Sequence, residues 1–125
     1  MNKIQLLLVD DHEVVRSGLR MLLEDKPDIQ IVGEAGTASE AVNSTNMLKP
    51  DVILMDIGLP DMSGIDATRK IKGLWPAIAI VALTIHEDEE YFFKMLEAGA
   101  SGYVPKRAAP EELLTAIRVA ASGEV

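Results

Sequence analysis

The sequence predicts an α/β fold: five parallel strands, each followed by a helix, in a doubly wound (βα)5 sheet. Short apolar runs alternate along the chain with segments whose apolar residues recur at i, i+4, i+7 and i+8. Three of the runs, at 4–9, 51–55 and 78–83, are apolar almost throughout, as strands are when helices cover both faces of a parallel sheet. At 125 residues and 48% apolar content, the chain has the length of one domain that buries its own core.

Ile4–Val9 reads as the first strand, interrupted only by Gln5. Val15, Leu19, Leu22 and Leu23 then form one face of a helix that Pro27 stops. The run 29–32 is a second strand, more polar and therefore nearer an edge. Thr37 or Ser39 caps a helix carrying Ala38, Ala41, Val42 and Thr45, and Pro50 separates it from the third strand at 51–55. A weaker helix at 64–72 presents Ile65, Thr68 and Ile71. The fourth strand, 78–83, is followed by a helix at 87–97 that Gly99 ends, with Phe92 and either Met95 or Leu96 expected in the core. A short fifth strand at 102–104 precedes the last helix, which starts after Pro110 and carries Leu113, Ile117, Ala120 and Ala121. Right-handed crossovers leave few topologies for such a chain, and the flavodoxin-like order 2-1-3-4-5 is the expected one. Residues 1–121 read as one unit, and 122–125 as a helix end, with Gly123 just past it, or the start of a linker.

Composition narrows the function. There is no cysteine, hence neither a disulfide framework nor a thiolate metal site. No run of about 18 apolar residues is present, so no membrane span is expected. The opening MNKIQLLLVDD has acids where a cleavage site would belong, and a cytoplasmic location fits. The formal net charge is −8, and no basic cluster stands out beyond Arg69, Lys70 and Lys72, so these residues are not expected to bind nucleic acid directly.

In this topology ligands bind at the carboxyl ends of the strands, where the strand order reverses. The first strand ends in Asp10 and Asp11, the third in Asp56 and the fourth in Thr84, while Lys106 follows the fifth after Pro105. Each of these has an ordinary explanation alone, as a turn former, a strand end or a solvated lysine. Their convergence on one rim does not. Clustered carboxylates need a counter-charge, and hard oxygen donors suit Mg²⁺, with Mn²⁺ as an alternative. Asp10, Asp11 and Asp56 would hold the metal, and Asp56 would attack phosphorus to form an aspartyl phosphate. Lys106 would neutralise charge on the transferred group, and Thr84 would donate its hydroxyl to a phosphoryl oxygen. His12 and His86 read as neighbours of the site and not as ligands, and Trp75 as a loop-packing residue.

The stretches LLLVDDHEVVRSGL, DVILMDIGLPDMSGID, ALT and AGASGYVPK together resemble a response-regulator receiver domain across nearly the whole chain. VDDH, RSGL, IVGEA and GYVPK resemble the NarL/FixJ-type transcriptional regulators in particular. The resemblance implies that Asp56 is the phosphoacceptor, Asp10 and Asp11 the acidic pair, and Lys106 the partner lysine. It also implies Thr84 and Tyr103 as switch residues and the Gly58 carbonyl as a further metal ligand. A sensor histidine kinase would supply the phosphoryl group. The face built by the fourth helix, fifth strand and fifth helix would carry the change to a DNA-binding output domain, with dimerisation a possible consequence. Two departures stand out: Gly58 lacks the larger side chain common in the family, and Arg107 follows Lys106 where the family often has proline or an acid. Gly58 and His86 would flank the path of attacking water, so the missing side chain bears on phosphoryl lifetime.

Three other functions compete. A haloacid-dehalogenase-type enzyme needs a general acid two residues past the nucleophile, where this chain has Gly58, and it needs a cap domain. A flavin-binding flavodoxin-like domain needs a Ser/Thr/Gly-rich phosphate loop where this chain has Asp10, Asp11, His12 and Glu13. A receiver-like interaction module working without phosphorylation would not need the complete acidic site.

Overall fold

The computed structural model describes residues 3–84 and 89–123. Five strands and five helices alternate: β1 (Ile4–Val9), α1 (Glu13–Leu23), β2 (Ile29–Ala35), α2 (Ala38–Leu48), β3 (Val52–Asp56), α3 (Gly64–Leu74), β4 (Ala79–Thr84), α4 (Glu89–Ala98), β5 (Gly102–Pro105) and α5 (Pro110–Ala121). The strands form one parallel sheet in the order β2-β1-β3-β4-β5, as the sequence predicts.

Alternation along the strands divides the core into two layers. Leu6, Leu8, Val52, Leu54, Val81 and Leu83 pack with Leu23 of α1 and with Leu113, Leu114 and Ile117 of α5. Leu7, Val9, Ile53, Met55 and Ile80 face the other way, onto Ala38 and Ala41 of α2 and Ala67 and Ile71 of α3. A smaller cluster under α4 joins Ala82, Met95 and Ala98 to Ile57 and Ile65. Because helices cover both faces, β3 and β4 are buried at every residue, whereas β2 at the edge is only partly so.

Local chemistry sets the boundaries. Thr37 caps α2 by accepting from the Glu40 amide, and Ser63 caps α3 by accepting from the Asp66 amide. Gly99 ends α4 at φ +108°, a conformation that side chains resist, and Gly123 closes α5 at φ +88°. Several elements run slightly past their predicted ends. β2 continues to Ala35 because Leu7, Leu8 and Val9 of β1 supply partners for Gly33, Glu34 and Ala35 after a register shift. Residues 87 and 88, expected in α4, and His86 lie outside the described residues.

One core expectation is corrected. Met95 is fully buried, but Phe92 is 38% exposed and stands on the outside of α4. There it meets Phe93 and Tyr103 edge-to-face, each ring centroid 5.4 Å away, so aromatic contact replaces burial in the core. Trp75 packs against the α2–α3 side of the core with Lys49 Nζ 4.7 Å from its ring centroid, the loop-packing role expected of it.

Candidate functional site

Strand register builds the site. Val9 of β1 is paired with Met55 of β3, so Asp10 and Asp56, each one residue further on, emerge side by side at the carboxyl rim with the same alternation parity. On the far side of β3, Thr84 ends β4 opposite Pro105 of β5, and the Lys106 amide donates to the Thr84 carbonyl at 2.7 Å. That bond brings Lys106 back over the rim. Four segments distant in sequence thereby converge.

Asp10 and Asp56 are almost completely buried, at 1% and 5% exposure. Lys106 Nζ lies 2.9 Å from Asp10 Oδ2 and 3.5 Å from Asp56 Oδ1, bridging the two carboxylates. Asp10 Oδ1 accepts from the His12 amide at 2.8 Å, and Asp56 Oδ1 accepts from the Gly58 amide at 3.2 Å. Asp11 is more exposed, and His12 Nδ1 stands 3.0 Å from its Oδ1 and 3.2 Å from Asp10 Oδ1. Ligand-type atoms of Asp10, Asp11, His12 and Asp56 all lie within 4.8 Å of one another.

The electrostatics of the cluster are unbalanced. Burial pushes the Asp56 carboxyl above its ordinary value and the Asp10 charge pushes it further, while the Gly58 amide and Lys106 offset only part. Burial works against the Lys106 ammonium, but Asp10 and Asp56 more than compensate and hold its pKa above the usual lysine value. One ammonium thus serves two buried carboxylates with a third beside them. Oxygen donors converging around a deficit of positive charge fit a hard divalent cation.

The sequence-predicted residues Asp10, Asp11, Asp56 and Lys106 are brought together directly. Thr84 is buried at the end of β4, next along the rim. Tyr103 is partly buried on β5, where its ring meets Phe92 edge-to-face. Among the described residues, a Cβ on Gly58 would meet nothing nearer than Asp56 Oδ1, 4.0 Å away.

His12 touches both acids, the neighbour of the site that the sequence reading makes it. Sequence reasoning missed two contributors. Gly64 packs so tightly under β3 that a Cβ would stand 2.6 Å from Ile57 Cα and closer still to the Asp56 carbonyl oxygen. Its place in DMSGID suggested only a helix start. Asp61 accepts from the Ala38 and Ser39 amides at 2.8 and 3.0 Å, fastening the loop after Asp56 to the start of α2.

Comparison with known proteins agrees with this geometry. The response regulator receiver domain family matches residues 6–118. The response regulator UvrY of Escherichia coli is 45% identical over 121 residues, which are 97% of this chain and 56% of UvrY. The response regulator GacA of Pseudomonas viridiflava is 40% identical over the same shares of the two chains. The crystal structure of a LuxR-family two-component response regulator from an Aurantimonas species superposes with a TM-score of 0.94 at 41% identity, covering 98% of this chain and 88% of that one. The chain spans about half the length of the curated relatives it matches. With the family match covering most of its length and the acids grouped at the sheet's reversal point, the chain belongs to the response regulator receiver domains.

Proposed function

We propose that this chain is the phosphorylation-controlled switch of a two-component system, taking a phosphoryl group on Asp56 from a sensor histidine kinase. The observation that carries the reading is the buried pair Asp10–Asp56 sharing the single ammonium of Lys106. A carboxylate in this setting is a nucleophile with a counter-charge at hand. An Asp56 oxygen attacks phosphorus as the bond to the donor's leaving group breaks, giving an aspartyl phosphate. Lys106, already 3.5 Å from Asp56 Oδ1, pairs with a phosphoryl oxygen, and the Thr84 hydroxyl donates to another. Asp10, Asp11, Asp56 and the Gly58 carbonyl would hold Mg²⁺, with Mn²⁺ as a substitute. That ion would neutralise the charge on the transferred group.

The added phosphate carries roughly −1.5 to −2 charges at neutral pH. It draws Thr84 inward and frees space for Tyr103, whose ring rests on Phe92 of α4. The face formed by α4, β5 and α5 then shifts between two packings, which controls transcription through a DNA-binding output domain outside this chain. Residues 1–121 would be the receiver unit and 122–125 the start of the connection. The relatives' greater length supports that division. A cytoplasmic location, and a partner copy engaged on phosphorylation, complete the reading.

Intact mass after incubation with phosphoramidate tests it. The native chain is expected to gain one phosphoryl mass with Mg²⁺ and none in EDTA, and Asp56→Asn none in either. A native chain without the gain in Mg²⁺ contradicts the proposal.

A further inference from the structure

Arg16 belongs to the stretch RSGL, to which the mechanism above gives no role. It begins the second turn of α1, and its side chain is 19% exposed. The guanidinium turns back toward the rim, where Nη1 donates to the main-chain carbonyl of Asp10. Nε donates to Glu34 Oε1 on β2 at 3.1 Å. Arg20, one turn later, donates from Nε to the other oxygen of Glu34 at 2.8 Å and does so without a hydrogen bond to Asp10. Gly36 makes room for this arrangement: a Cβ there would stand 3.4 Å from Arg16 Nη1 and 3.9 Å from the Asp10 carbonyl oxygen.

Asp10 is thereby held by hydrogen bonds at its amide, its carbonyl and Oδ1, and by an ion pair at Oδ2. Its amide donates to the Ala35 carbonyl at 3.0 Å, its carbonyl accepts from Arg16, its Oδ1 accepts from the His12 amide, and its Oδ2 faces Lys106. The Asp10 carbonyl lies past the last strand pair and before the helix, so no ladder supplies its donor and, being buried, it needs one from elsewhere. We propose that Arg16, held by Glu34, is a positioning residue that fixes the turn presenting Asp10 and Asp11 to the divalent cation. The inference rests on the metal site of the proposed function.

Position and charge make opposite predictions, which gives the test its sign. As a mere cation near three acids, Arg16 would weaken Mg²⁺ binding, and its removal would tighten it. As a positioning group its removal loosens binding, by about 10-fold on the scale of residues that orient metal ligands. The experiment is a Mg²⁺ titration of the amide resonances of Asp11 and Gly58 in the native chain, Arg16→Ala, Arg16→Lys and Arg20→Gln, with thermal unfolding of each in EDTA. Expected are a Kd raised about 10-fold in Arg16→Ala, a raised Kd in Arg16→Lys, which keeps the charge and loses the fork, and a native Kd in Arg20→Gln. An unchanged or tighter Kd in Arg16→Lys overturns the inference even where Arg16→Ala fails to fold. Equal weakening in Arg20→Gln overturns it too, because general loosening of α1 would then be the cause. A native chain with no Mg²⁺ response overturns the proposed function and this inference with it.

Discussion

Two clusters of carboxylate and cation tie distant parts of this chain together, and their charges balance differently. On the flank of the sheet, Arg118 of α5 grips Asp28 with two hydrogen bonds of 2.7 and 3.1 Å, one cation for one acid, both half exposed. Arg118 accordingly holds the Asp28 carboxyl below its usual range. At the rim, Lys106 faces both Asp10 and Asp56, with Asp11 alongside, and burial drives Asp56 the opposite way. The first cluster is complete as it stands and serves only to hold α5 against the start of β2. The second is short of positive charge, and such an imbalance among buried groups marks a candidate functional site.

Changes at the two clusters should therefore differ in size and in sign. The largest effect is expected from Gly64→Ala, which forces a methyl into the backbone of β3 below Asp56 and lowers stability by about 3 kcal/mol in urea unfolding. Lys106→Met follows, with a loss of about 2 kcal/mol in EDTA because two buried carboxylates are left without their ammonium. Added Mg²⁺ should restore part of that loss. Asp56→Asn has the opposite sign, a gain on the order of 1 kcal/mol at pH 7 in EDTA, since it removes one of two buried like charges.

The pH dependence sharpens the contrast. Asp56 has a folded pKa above the 3.8 of an ordinary aspartate, so the folded state binds the extra proton. Its penalty is absent below that value and grows as pH rises through the folded pKa. The advantage of Asp56→Asn should therefore vanish on acidification. Asp28 has a folded pKa below 3.8, so its contribution is present above that value and is lost as pH falls through the folded pKa. Asp28→Asn should give the smallest change of the series, a slight drop in Tm at pH 7 that fades in high salt.

Most of the fold was legible in the sequence because strand and helix periods differ so plainly in this chain. β1, β3 and β4 announce themselves as nearly unbroken apolar runs, and the topology rules then fix which strand ends meet. The acids at the rim were legible for the same reason, since each stands at a strand's end or within two residues of it. Side chains that reach across elements were not. Nothing in the spacing of Arg16 and Glu34 says that a guanidinium on α1 meets the Asp10 carbonyl, and Asp61 reads as a loop acid until α2 is seen beside it. Phe92 was misread because a phenylalanine on a helix is usually core, whereas here Met95 fills the core and Phe92 lies against Tyr103.

The central claim is that the rim carries more carboxylate than cation, whereas the Asp28–Arg118 pair is balanced. Thermal unfolding of the native chain and of Asp56→Asn, each in EDTA and across a Mg²⁺ titration, tests it most directly. The account predicts that Mg²⁺ raises the native Tm progressively, by mass action on a folded-state site, and raises that of Asp56→Asn clearly less. A native Tm indifferent to Mg²⁺, or an equal rise in both proteins, would contradict it.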